Sequence, residues 1–186
     1  MNWVRVLFLG DSLTAGARDP WGMAWPYYMA QLALEDGVVI LPIVEARDGA
    51  RTSDLVRTAF GAIESAGAKE AFVLIGTNDA KEEAMLPVEQ SVANLRLVLA
   101  WCAVQGVRAY PLTVPLPSGF GSPGYTVAVV ERIKAFNAAL RALALPRLVD
   151  CEDIRETVDG VHLSVRAATE IARRSWAAVK RERTFS

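Results

Sequence analysis

Trp3-Val4-Arg5-Val6-Leu7-Phe8-Leu9-Gly10-Asp11-Ser12-Leu13-Thr14 carries an apolar run that breaks at once into a Gly-Asp-Ser turn. A short continuous apolar run bounded by turn residues predicts a strand over Val4–Leu9 buried on both faces. The same alternation repeats downstream. Strands are expected at Val38–Val44, Ala71–Ile75, Val107–Val114 and Arg147–Val149. Helices are expected near Trp25–Glu35, Ser53–Ser65, Val88–Gln105, Tyr125–Leu143 and Ser164–Lys180, the last with Ser164 as N-cap. Within Val88–Gln105 the apolar residues Val92, Leu95, Val98, Leu99 and Cys102 fall at helical spacing.

Repeated βα units of this kind predict an α/β fold with a five-stranded parallel sheet covered by helices on both faces. Ligand sites of such sheets lie at the carboxyl ends of the strands. That rule gathers Gly10–Thr14, Asp48–Thr52, Gly76-Thr77-Asn78-Asp79, Pro115–Gly124 and the turn Asp159-Gly160-Val161-His162 at one edge.

Composition narrows the chemistry. The chain has 186 residues, 52% hydrophobic and 22% charged, with a formal net charge of −1. Its length suits one domain with its own core, and the near-neutral charge gives no footprint for a nucleic-acid partner. No stretch is long and apolar enough to span a membrane, and the N-terminus lacks a signal-peptide pattern, so a cytoplasmic location is expected. Cys102 and Cys151 show no CxxC spacing and read as reduced core residues, and no metal site is expected. The basic cluster from Arg173 to Arg183 reads as the solvated face of the last helix.

His162 is the one histidine in the chain. A serine nucleophile needs a base that works near neutrality, and Asp159 stands three residues before that histidine. One turn can therefore place a carboxylate on one ring nitrogen of His162 while the other faces Ser12. Attack on an ester would create an oxyanion, for which the Ser12 N–H, the Gly49 N–H and the Asn78 side-chain amide are the expected donors. Asp11 and Asp79, each beside a site residue, read as loop-shaping carboxylates.

At these residues the chain resembles the SGNH hydrolase family, the GDSL esterases and lipases. Gly10-Asp11-Ser12-Leu13-Thr14 matches its first block, Gly76-Thr77-Asn78-Asp79 its GxND block and Asp159-Gly160-Val161-His162 its DxxH block. The glycine block is matched by Gly49, although Asp48 and Arg51 flank it where small residues are usual. The resemblance implies a flavodoxin-like three-layer α/β/α sandwich. It also implies ester hydrolysis without metal or organic cofactor, with Ser12, Asp159 and His162 as triad.

Arg18, Trp21, Arg51 and Phe120 are expected substrate contacts, whereas Trp25 and Tyr27 are read as core residues at the start of the first helix. Gly119–Gly124 formally fits GxGxxG, but it follows the fourth strand and has Pro117 and Pro123 around it, and so reads as a rim of the site. The expected substrate is a small ester, first an acetyl ester of a carbohydrate or small alcohol. A lysophospholipase or thioesterase of the same family, or a non-catalytic binding module, is the alternative.

Overall fold

The computed structural model describes residues 2–81, 83–84, 86–119 and 125–184. Its sheet has four parallel strands, β1 (Asn2–Gly10), β2 (Val38–Ala46), β3 (Glu70–Leu74) and β4 (Arg108–Pro111), in the order β2-β1-β3-β4. The fifth strand anticipated at Arg147–Val149 is reduced to one parallel bridge, Leu112 to Val149. Two hydrogen bonds hold it, Val149 N–H to Pro111 O (2.9 Å) and Thr113 N–H to Val149 O (3.1 Å). Pro146 lies just before this segment and can donate no ladder bond, which helps explain why pairing stops there.

The helices are α1 (Ser12–Ala15), α2 (Trp25–Glu35), α3 (Thr52–Ala66), α4 (Val88–Val104), α5 (Val127–Ala142) and α6 (Val165–Thr184). α1 replaces what reads in the sequence as plain loop. α2 packs on α6, α3 on α4 and α4 on α5, flanking the sheet. Among the described residues no helix is long and apolar enough to cross a membrane.

Register explains the core. Phe8, Phe72 and Tyr110 occupy paired positions on β1, β3 and β4. Their rings stack with centroids 5.5 and 4.7 Å apart, and the buried indole of Trp25 meets Phe8 edge-on at 5.1 Å. Val6 to Leu9 are fully buried, each worth about 1.5–3 kcal/mol relative to exposure. Tyr27 departs from its expected core role, since it is 43% exposed while its helix neighbours Trp25 and Tyr28 are buried. Cys102 and Cys151 are buried free thiols.

The same register aligns the functional edge. Gly10 pairs with Ala46 on one side and with Leu74 on the other, so three loops leave the sheet at one level. The chain passes from β1 to β2 and then crosses to β3, which makes the β1 end a topological switch point.

Gly10 is fixed by crowding. A Cβ there would lie 2.4 Å from the Leu74 carbonyl and 2.3 Å from Thr14 Oγ. Gly10→Ala is expected to destabilise the fold by about 3 kcal/mol or more, because backbone must move to admit the methyl. Chemical denaturation checks this, and a loss below about 1 kcal/mol would mean that the β1–β3 edge yields freely.

Candidate active site

Asp11 turns the end of β1 into α1. Its Oδ1 accepts the Leu13 N–H (3.0 Å) as an N-cap, and Gly16, at φ +80°, closes the turn with its N–H on Ser12 O. Ser12 therefore sits in the first turn of a one-turn helix. The loop then runs through Arg18, a non-glycine residue at φ +68°, a conformation that costs energy and is held by its surroundings.

The second loop is a tight turn closed by Ala50 N–H on Arg47 O, with Gly49 at φ +73°. A Cβ on Gly49 would meet nothing within 4 Å, so backbone conformation, not crowding, selects glycine here. Asn78 Nδ2 donates to Ala50 O (3.0 Å). One amide hydrogen is spent on the Gly49 loop, and the second remains for a ligand.

Asp159 and His162 form a unit of their own. The loop is the tip of a hairpin pinched by the Thr157–Leu163 bridge and by Ser118 N–H on Gly160 O. Asp159 Oδ1 accepts the backbone N–H groups of Val161 (3.1 Å) and His162 (2.8 Å), and Oδ2 lies 2.7 Å from His162 Nδ1. With Nδ1 donating to the carboxylate, Nε2 is left as an acceptor. Burial alone would raise the Asp159 pKa, but the bonds from the His162 ring and from the two backbone N–H groups outweigh it and hold the carboxyl below the ordinary range.

One cleft of about 490 Å³ collects these parts. Ser12, Gly49, Asn78 and His162 line it with Ala17, Arg18, Asp48, Lys81 and Tyr125. A base, a hydroxyl and two kinds of N–H donor facing one space are the components of acyl transfer. Arg18 also places Nε 3.9 Å from Asp159 Oδ2.

Two anticipated contacts fall outside this lining. Trp21 is 74% exposed on a loop whose backbone is held by Asp19, and Arg51 precedes α3 with its N–H on Asp54 Oδ2 (2.9 Å). Phe120 lies outside the described residues. Conversely, Lys81 and Tyr125 went unanticipated. Lys81 follows Asn78 by three residues and stands 5.0 Å from the Tyr125 ring centre. Its place in the Asn78 loop was the available signal.

Two carboxylates sit behind the cleft. Asp79 accepts the Thr52 N–H (3.0 Å), the Thr52 hydroxyl and the Ser91 hydroxyl (3.0 Å), joining the Asn78 loop to the starts of α3 and α4. Asp11 is fully buried, with Oδ1 on the Leu13 N–H and the Thr77 hydroxyl close by. Burial pushes the Asp11 pKa up to about 7, helped by Asp79 and opposed by the Leu13 N–H, Thr77 and Lys81.

The profile of the GDSL-like lipase/acylhydrolase family matches residues 8–170. No curated protein matches the sequence. Among solved structures, a carbohydrate acetylesterase family member from Sinorhizobium meliloti superposes with a TM-score of 0.78 at 21% identity, covering 97% of this chain and 98% of its own. Est24, a carbohydrate acetylesterase from the same organism, gives 0.75 at 22% identity, with 97% and 99% covered. The psychrotrophic esterase EstA from Pseudoalteromonas sp. gives 0.70 at 16% identity, with 97% and 98% covered. Identities this low speak to the fold.

The Asp11 shift makes a stability prediction. The folded chain holds that proton more tightly than the unfolded chain, so the Asp11 contribution falls as pH rises from about 4 to about 7. Asp11→Asn keeps the acceptor for Leu13 and cannot ionise. Between pH 5 and 8 the wild-type Tm should fall further than that of the variant, by at least roughly 3 °C. Equal falls would show that Asp11 ionises freely in the folded chain.

Proposed function

Since the chain belongs to the GDSL-like lipase/acylhydrolase family, we propose that it is a serine esterase cleaving short-chain acyl esters of polar alcohols, with acetyl esters of carbohydrates first among them. The observation that carries this reading is the convergence of Ser12, Gly49, Asn78 and the Asp159-bonded His162 on one cleft.

In the proposed reaction His162 Nε2 takes the Ser12 proton as Oγ attacks the ester carbonyl carbon. The carbonyl oxygen becomes an oxyanion, received by the N–H groups of Ser12 and Gly49 and by the free hydrogen of Asn78 Nδ2. Collapse breaks the bond to the alcohol oxygen, which leaves with the proton from His162, and the acyl group stays on Ser12. Water then attacks with its proton passing to His162, and a second collapse returns that proton to Ser12 Oγ and releases the acid. Asp159 stabilises the imidazolium in both halves without taking the proton.

The lining supports a short acyl group and a polar alcohol. Of nine cleft residues, Ala17 and Tyr125 supply apolar surface, while Arg18, Asp48 and Lys81 carry charge. A long acyl chain would leave water for walls that return little of its transfer energy, about 0.8 kcal/mol for each buried CH₂. This disfavours the lysophospholipase reading.

On p-nitrophenyl esters, kcat/KM should be highest at acetate or propionate and fall by roughly tenfold or more by octanoate, the reverse of a site that stabilises each added CH₂. A steady rise with chain length would contradict the short-acyl reading. Ser12→Ala should abolish turnover of all of them, and equal slow rates in wild type and variant would remove Ser12 as nucleophile. Asn78→Ala should lower kcat by about 10²–10³ with KM little changed. A loss below about threefold would take Asn78 out of the oxyanion hole.

A further inference from the structure

Charge in the cleft is unevenly committed. Asp159 already receives three hydrogen bonds, and Arg18 stands at ion-pair distance from it. Asp48 is exposed at the rim of the Gly49 turn. Lys81 differs from both. Among the described residues no carboxylate lies within ion-pair distance of its Nζ, whereas Arg18, the other cation lining the cleft, has Asp159.

What Lys81 has is a ring. The Tyr125 side chain is buried, and its face holds the ammonium at the cleft wall without neutralising it. The Tyr125 hydroxyl cannot supply a counter-charge either, because burial, with Asp11 and Asp159 nearby, drives its pKa above the ordinary value. Among the described residues no carboxylate meets the Lys81 ammonium at ion-pair distance, which leaves it open to an anion of the ligand.

We infer that the substrate carries an anionic group on its alcohol portion, such as the carboxylate of an acylated sugar acid or hydroxy acid, and that Lys81 receives it. This rests on the esterase reading above. A short acyl group ends close to Ser12, so the alcohol is the part long enough to reach the Lys81–Tyr125 wall. The anion accepts charge-assisted hydrogen bonds from the ammonium, and a cleft already polar at Asn78 and Arg18 exacts little further desolvation. Lys81 thereby acts as a specificity residue.

The test compares 4-acetoxybenzoate with its neutral counterpart 4-acetoxybenzamide, each rate normalised to alkaline hydrolysis. Wild type should prefer the carboxylate in kcat/KM by about tenfold or more at low ionic strength, the worth of one hydrogen bond to a charged group. The preference should shrink as salt is added. Lys81→Met should bring the ratio close to one, and Lys81→Arg should restore most of it. Equal losses on both esters in Lys81→Met, or no carboxylate preference in wild type, would overturn the inference. A preference for mono-4-nitrophenyl succinate over 4-nitrophenyl acetate without one for 4-acetoxybenzoate would also overturn it, by moving the anion to the acyl side. Titration of 4-acetoxybenzoate and 4-acetoxybenzamide into Ser12→Ala, followed by ligand NMR, needs no turnover. Tighter binding of the carboxylate there, with neither ester hydrolysed by wild type, would sink the esterase reading and keep the anion subsite. Equal binding would sink the subsite.

Discussion

The carboxylate of Asp79 is the constraint on which the Gly49–Asn78 side of the cleft, the proposed oxyanion side, depends. Buried at the end of β3, it gathers the Thr52 N–H, the Thr52 hydroxyl and the Ser91 hydroxyl. Asn94 extends the network to Thr52 Oγ (3.1 Å), and Gln90 to Asn94. A buried carboxylate is costly unless donors surround it, so the need to satisfy this one ties three segments together. The start of α3 cannot shift without breaking it, and the Gly49–Ala50 turn leads directly into α3. Asn78, the neighbour of Asp79, then reaches the same turn through Ala50 O. The two proposed donors outside the nucleophile loop are held by one polar cluster.

The opposite side is organised locally. Asp159 and His162 need nothing from the sheet to find each other, because an Asx turn delivers the carboxylate to the ring. The sheet supplies their position relative to Ser12. Gly10 stands level with Ala46 and Leu74 through parallel register, and α1 begins two residues later. Local turn chemistry makes the parts, and strand register brings them to one edge.

Much of this was legible in the sequence, for physical reasons that can be named. Val4–Leu9 reads as a strand because it is apolar on both faces, and the structure extends it only at its ends. Gly10–Thr14, Gly76–Asp79 and Asp159–His162 could be placed together because parallel strands put their carboxyl ends on one side. Other features depend on contacts that spacing does not encode. The single turn of α1 is too short to show helical period. Arg147–Val149 is apolar enough for a strand yet finds one bridge beside Pro146. Tyr27 and Trp25 look alike in sequence, and helix rotation puts one in solvent and the other under Phe8. Arg51 and Trp21 stand beside site loops in the chain, but their backbone bonds to Asp54 and Asp19 belong to turns outside the cleft. Lys81 and Tyr125 meet across 44 residues of sequence, a pairing visible only after folding.

The central claim is that Ser12 is made nucleophilic by His162 within a cleft built for acyl transfer. Peptide mass mapping after exposure to diisopropyl fluorophosphate addresses this most directly, because the reagent marks an activated serine whatever the natural ester is. One adduct per chain on Ser12, lost in His162→Ala, is the predicted result. No adduct on the wild type, or labelling of Ser12 at the same rate in His162→Ala, would contradict it.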